Sequence, residues 1–518
     1  MARRAEPVGA AVGIGAAAVV AALILGALLA VFLRAEAGAG LGPADWAAVR
    51  FTVLQAALSA GVSVTLAVPV ARALARRRFP GRRWLIALMG APFILPVIVA
   101  VLGLLTVFGR GGWVSHLLGW AGLPPLQIYG LHGVVLAHVF FNLPLAVRLI
   151  LQGWQEIPAE RFRLAAQLGA GPREVRRLLE YPMLARVAPG ALAVIFAICL
   201  TSFAVALTLG GGPKATTVEL AIYQAFRFDF DLGRAAMLSV IQIVLTCAAA
   251  LVAVRAARRD SPGGGLDRPI RRWDATGRGA RVWDTGLIGL AALFLLLPLA
   301  AVVLRGAAGV VDLPGVVWLA ALISVLVAAI STGLLLVLAL PMAAAVAVGR
   351  RAGMEIAGLL GLAASPLVIG TGLFIVINPV ADPFALALPV TALVNAVMAL
   401  PFALRILVPR AVQVVERYGR LGASLDLRGW NFARIVLLPR MRAQIGFAAG
   451  LGAALSMGDL GVIALFADPE HATLPLQIYR LMGSYRMEAA AGAALLLLAL
   501  SMGAFWALDR GGRWHAEA

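Results

Sequence analysis

Cysteine is nearly absent from this 518-residue chain. Cys199 and Cys247 both fall inside apolar runs, which excludes a disulfide framework and any Cys/His metal spacing and fits two buried small hydrophobes. The histidines, His116, His132, His138, His471 and His515, are scattered without ligand spacing. His138, inside an apolar run, reads as packed or hydrogen-bonded rather than metal-binding. No nucleophile–base–orienter set is present, which argues against an enzyme. A phosphate-binding G-x-x-x-x-G-K-[ST] loop is missing too. The segment Gly210–Thr217 resembles one only superficially, because Lys214 follows Pro213 and precedes Ala215; it reads as a turn. Charge is sparse as well, at 13% of residues.

What fills the chain is apolar: 62% hydrophobic residues and a mean hydropathy of +0.93, the composition of an integral membrane protein. Runs of about 20 residues, long enough to cross roughly 30 Å of hydrocarbon as helix, recur throughout. Twelve are expected, near 10–33, 50–71, 84–108, 130–151, 187–209, 235–254, 284–304, 316–348, 355–379, 384–404, 444–466 and 488–508. The run at 316–348 is too long for one crossing and should overhang the bilayer. That at 355–379 is interrupted by Pro366, Gly370 and Gly372. The first run is longer than the apolar core of a secretory signal, and Arg34 and Glu36 follow it directly, so it reads as an uncleaved span.

The net charge of +19 is a statement about topology, not about nucleic acid. With a cytoplasmic N-terminus, the inside segments are 1–9, 71–84, 148–187, 255–282, 349–355, 405–443 and 509–518. They hold 35 of the 44 basic residues, as the positive-inside rule requires. An even number of spans then puts both termini in the cytoplasm, and a bacterial inner membrane is the expected location. Between the third and fourth runs, Trp113, His116, Trp120 and Tyr129 fall on the outer side, suited to the membrane interface or to docking an extracytoplasmic partner.

The chain repeats itself. Arg163-Leu164-Ala165-Ala166-Gln167-Leu168-Gly169, with Pro182 thirteen residues on, returns as Arg420-Leu421-Gly422-Ala423-Ser424-Leu425-Asp426 with Pro439. Asn142–Arg148 matches Ala399–Arg405 at the same 257-residue offset, and Ser59-Ala60-Gly61 corresponds to Ser331-Thr332-Gly333. The expected organisation is a first half (1–254, loop 153–187), a polar Gly-rich linker (255–282) and a second half (283–518, loop 405–443). Six spans per half make the repeats parallel, related by a pseudo-two-fold axis along the membrane normal.

In the first loop the apolar positions Leu164, Ala165, Leu168, Val175, Leu178 and Leu179 keep helical spacing while Arg161, Arg163, Arg173, Arg176 and Arg177 take other positions, and Gly169-Ala170-Gly171-Pro172 should divide it into two short helices. An amphipathic helix on an anionic leaflet would look similar, but would not account for the same spacing, terminal Pro included, in both halves.

Small residues, a Gly, about nine residues and an apolar-x-apolar-Pro ending resemble the coupling loop of ABC importer permeases. Arg163 and Arg420 stand where that family usually has Glu, and Asp426 where it usually has Gly. The resemblance is closer to thiamine (thiamine diphosphate) importer permeases, through Leu136–Pro144, Leu209–Thr217 and Gly483-Ser484-Tyr485-Arg486. It implies an all-α type I importer permease fold. It also implies coupling residues Arg163, Leu164, Ala165, Ala166, Leu168, Gly169 and Pro182, and Arg420, Leu421, Ala423, Leu425, Asp426 and Pro439. The implied partners are an ATP-binding cassette subunit in two copies, which binds ATP and Mg, and a periplasmic thiamine-binding protein. No cofactor belongs to this chain itself.

Asp459, in Ser456-Met457-Gly458-Asp459, falls within the eleventh run. A carboxylate at membrane depth costs about 2.5–3.5 kcal/mol on insertion scales, so it should face protein or a wet cavity. Its repeat partner is Ser202, beside Thr201. Thr201, Ser202, Ser456 and Asp459 are therefore candidate pathway residues for thiamine or its phosphate esters; a structural hydrogen bond from Asp459 to a neighbouring helix is the alternative. Ferric-iron permeases share the general plan. A twelve-span ion-coupled transporter is the reading from another class, but it relies on more intramembrane ionisable groups.

Overall fold

The structure, a computed structural model, describes residues 8–35, 41–90, 94–256, 272, 276–349, 357–358, 360–362, 364–466 and 472–514. Most of the linker, His471 and His515 lie outside them. Among the described residues the secondary structure is helical, with no strand, as it must be for segments that cannot leave backbone groups unbonded in hydrocarbon.

Twelve principal helices carry the fold: α1 (Val8–Arg34), α2 (Pro43–Arg76), α3 (Val97–Phe108), α4 (Leu131–Gln155), α5 (Tyr181–Leu200), α6 (Leu232–Ala256), α7 (Arg278–Gly309), α8 (Gly315–Gly349), α9 (Pro366–Ile377), α10 (Ala387–Ser424), α11 (Arg442–Met457) and α12 (Met487–Arg513). Eleven segments among the described residues are long and apolar enough to cross a bilayer, and the chain is a multi-pass membrane protein. The expected ninth run falls short. Its described helix, α9, has 12 residues and starts at Pro366, while Gly370 and Gly372 lie inside it without breaking it. Its counterpart α3 also has 12 residues and reaches spanning length only together with the helix Trp113–Trp120. At 35 residues, α8 overhangs as expected, since about 1.5 Å per residue carries it well past 30 Å.

In the first half α2, α4 and α5 pack together; in the second, α8, α10 and α11 do. The opening helix of each half crosses over. α1 packs on α8 and α9 of the second half, while α7 packs on α2 and α3 of the first and on α12. Both crossings use the same device. Gly372 lies so near α1 that a Cβ there would stand 2.3 Å from the Ala27 carbonyl oxygen, and one at Gly103 would stand 2.5 Å from that of Pro298. With lipid as apolar as the side chains, close backbone approach at small residues is what holds such helices together.

A chain of contacts places both repeated loops at one end of the bundle. Arg77, past the end of α2, pairs with Asp284 in the first turns of α7 at 2.8 Å. Gly309 at the far end of α7 abuts Glu488 and Gly492 at the start of α12, and Gly512 at the end of α12 abuts Arg442 and Gly446 at the start of α11. The beginning of α1 lies there too, Gly13 against Pro341 and Ala345 late in α8.

Because the α1–α9 crossing has no room for a side chain, Gly372→Val should lower the melting temperature of the detergent-purified protein, by about 1–3 kcal/mol of overpacking. Gly333→Val, where a side chain meets open space, should leave it unchanged or slightly higher.

Candidate functional site

The fifth and eleventh expected runs are not continuous helices. α5 ends at Leu200, and the chain passes through Thr201 and Ser202 before a short helix, Phe203–Leu209. α11 ends at Met457, and Gly458, Asp459 and Leu460 precede the helix Gly461–Phe466. The breaks lie 257 residues apart, at the candidate pathway residues themselves. A broken helix frees backbone carbonyls, which hydrocarbon cannot solvate. Here they find side chains: Gln55 Nε2 of α2 donates to the Cys199 carbonyl at 2.9 Å, and Gln242 Nε2 of α6 to that of Leu200 at 3.0 Å. In the second half Asn395 Nδ2 of α10 donates to Ser456 Oγ at 3.1 Å. At the equivalent place in α4, the His138 ring bridges Ser59 Oγ (3.1 Å from Nδ1) and Ser202 Oγ (2.8 Å from Nε2). His138 is thus hydrogen-bonded, as its setting suggested, and no group of metal-binding residues occurs among the described residues.

Between the breaks lies a cavity of about 400 Å³, within the range that holds small ligands. Both halves line it, with His138, Asn142, Thr201, Ser202 and Glu219 from the first and Asn395 and Asp459 from the second. Of the four expected pathway residues, Thr201, Ser202 and Asp459 reach it. Ser456 does not: it is buried and bonded to Asn395, because its side of α11 faces α10. Asp459 Oδ1 accepts from the Gly461 N–H at 3.2 Å, an Asx-type turn that starts the short helix; Oδ2 is buried without a partner. A second cavity, about 840 Å³, is walled by such residues as Leu192, Phe196, Leu245 and Val252. Several of its lining residues are exposed on the outer surface, no polar side chain lines it, and it reads as a lipid-facing groove.

The repeated loops share details that sequence spacing did not reveal. Each contains one five-residue π-helical segment, Arg176–Glu180 and Ala433–Leu437, again 257 residues apart. Such segments recur at functional sites. Gly169 takes φ of +69° and Asp426 φ of +52°. A left-handed residue is thus required at this position, and Asp, unlike most side chains, tolerates it. The two short helices expected of the first loop are Ala159–Gln167 and Pro172–Val175. The second loop differs, since α10 runs unbroken through the loop to Ser424. Pro158, which starts the first loop's helix anew, has no proline at the equivalent site. Leu164, Leu168, Leu421 and Leu425 are all more than half exposed; Arg163, Ala166, Gly169, Pro182, Arg420, Ala423 and Asp426 are exposed, while Ala165 and Pro439 are half-buried.

Among the described residues, the first loop carries a buried ionic anchor. Glu180 is 1% exposed and accepts from Arg72 Nε and Arg272 Nη2, each at 2.7 Å, with Arg76 at 3.8 Å. Arg272 belongs to the linker and also lies over the Phe162 ring, 4.5 Å from its centroid. The corresponding residue of the second loop is Leu437. The only sequence signal for this anchor is an acid at a position that is apolar in the other copy.

No family model matches the chain, but full-length relatives do. The thiamine transport system permease protein ThiP of Brucella abortus (strain 2308) is 40% identical over 519 residues, 97% of this chain and 95% of that protein. That of Salmonella typhimurium is 41% identical, over 98% and 97%. The chain belongs to the thiamine transport system permease family. A probable sulfate transport system permease protein of Helicosporidium is 29% identical over 210 residues, 77% of its own length but 40% of this one. Within this family, then, the broken helices, the shared cavity and the repeated loops belong to a transport subunit.

Removing one partner from a buried ion pair costs about 3–5 kcal/mol, so Glu180→Gln should markedly lower the melting temperature. Arg428→Ala, which cuts the exposed pair with Asp426, should change it by less than about 1 kcal/mol.

Proposed function

We propose that this permease is the membrane-spanning subunit of an ATP-driven importer for thiamine, working as two fused, pseudo-symmetric halves joined by the 255–282 linker. The substrate, released by a binding protein on the side opposite the loops, passes through the cavity between the broken helices. The loops at 153–187 and 405–443 receive an ATPase subunit, one copy each, and the ATP and Mg are held by that partner. The loop-bearing end is cytoplasmic, in a bacterial inner membrane, with both termini on that side, in keeping with its arginines.

The observation that carries this reading is the cavity between two equivalent helix breaks. Broken helices are tolerated at membrane depth where they line a cavity, and substrate sites at repeat interfaces are built this way. Support for the docking role comes from the leucines. Leu164, Leu168, Leu421 and Leu425 are exposed on arginine-rich loops, where apolar surface signifies an interaction site. The match of the sulfate permease relative to a stretch about half the chain's length is what fused halves would produce. The organic, cationic nature of thiamine fits a cavity lined by two carboxyl groups and by Phe141, Phe203 and Phe402, and favours it over ferric iron, which would need a ring of hard oxygen ligands.

The double substitution Leu164→Asp with Leu421→Asp should abolish copurification of the ATPase subunit and at least 90% of thiamine uptake in proteoliposomes, with the permease's melting temperature unchanged. Retention of the ATPase would count against these loops as its docking sites.

A further inference from the structure

Glu219 is not needed to start the helix that carries it. It sits in the first turn of the helix Val218–Arg227, whose start is already secured: Thr217 Oγ1 accepts from the Leu220 N–H at 3.3 Å, and Thr52 Oγ1 of α2 accepts from that of Val218 at 2.9 Å. The second half repeats this joint, Ser324 Oγ of α8 accepting from the Leu474 N–H at 2.7 Å. The joint therefore works without a carboxylate, since the residue at Glu219's place there is Pro475.

Yet Glu219 is fully buried, neither of its oxygens has a well-formed hydrogen bond although the Ser365 hydroxyl at the start of α9 lies beside it, and it lines the cavity. Asp459 Oδ2, from the other half, is in the same condition. A buried carboxylate without a partner costs several kcal/mol. Among the described residues no basic side chain lines the cavity to compensate it, whereas Phe141, Phe203 and Phe402 offer aromatic surface to a positive charge. The two carboxylates break the pseudo-symmetry: each half supplies one, at a position where its repeat partner has Pro475 or Ser202.

We infer that Glu219 and Asp459 together form a recognition site for an organic cation, the counter-charge that both buried carboxylates lack. The inference rests on the proposed importer function and adds to it a specificity-determining residue, Glu219. Substrate crossing the permease exchanges water for one carboxylate from each half and for the aromatic walls.

The test uses the permease reconstituted with its ATPase subunit and thiamine-loaded binding protein. Glu219→Gln should cut thiamine uptake at least tenfold while ATPase stimulation by the loaded binding protein stays within twofold of the unsubstituted complex; Glu219→Asp should restore most uptake. Unchanged uptake in Glu219→Gln overturns the inference, as does a parallel fall of uptake and stimulation, which marks a structural role. An independent measurement needs no variant. Dicyclohexylcarbodiimide, a reagent for buried carboxyls, should modify Glu219 in the unsubstituted protein, as read by mass spectrometry, and saturating thiamine should protect it. Modification indifferent to thiamine overturns the inference. Absence of thiamine uptake by the unsubstituted complex is a different result, one that contradicts the importer function itself.

Discussion

A carbonyl freed by a helix break at membrane depth has no water to bond, so the break persists only where the protein supplies a donor. The rest of the site depends on that requirement. Gln55 and Gln242 answer it in the first half, from helices on two sides of the break. Asn395 answers it in the second, at Ser456, while Asp459 meets the converse need and accepts from the Gly461 N–H that opens the next helix. Because the donors come from α2, α6 and α10, the breaks are fixed to helices that also shape the loop-bearing end. A movement of the loops transmitted along α10 into Asn395, or along α2 into Gln55, arrives at the cavity wall. That is a mechanical route built of hydrogen bonds and continuous helix.

The two halves share this plan but do not duplicate each other. Their common features are those the backbone demands: the breaks, the π-helical segments, the left-handed residue at Gly169 or Asp426, and the Ser/Thr joint from α2 or α8 to the following short helix. Their differences are chemical. Glu180 ties the first loop to α2 and to the linker through three arginines, while the second loop is instead a rigid extension of α10. In the cavity wall a carboxylate appears once per half, at inequivalent positions. Symmetry serves the scaffold, and in the proposed function its local failures serve the passage of an asymmetric substrate.

The sequence revealed the class of fold and the repeat readily, because hydropathy and a 257-residue offset are properties of the chain alone. That Asp459, Ser202 and Thr201 face a cavity was legible for a physical reason: polar groups within apolar runs are too expensive to leave against hydrocarbon. Ser456 looked the same in sequence but faces Asn395, since its side is decided by the helical turn before the break. Nothing in hydropathy marks the breaks, because Thr201 and Gly458 barely lower it. Glu219 escaped notice since it lies outside the spanning runs; comparison with Pro475 of the other copy is the signal that could have found it. Gln55, Gln242 and Glu180 matter through partners more than 40 residues away, which spacing cannot show.

The central claim is that substrate passes between the halves at the paired breaks, and that the loops govern which side the cavity faces. Thiol labelling tests it most directly, with Thr201→Cys placed in a protein whose Cys199 and Cys247 are replaced by Ala. In proteoliposomes containing the assembled importer, a membrane-impermeant reagent should label Cys at that position from one side in the resting state and from the other after trapping with ATP and vanadate, with thiamine protecting. Labelling that is indifferent to both nucleotide and thiamine would contradict the account.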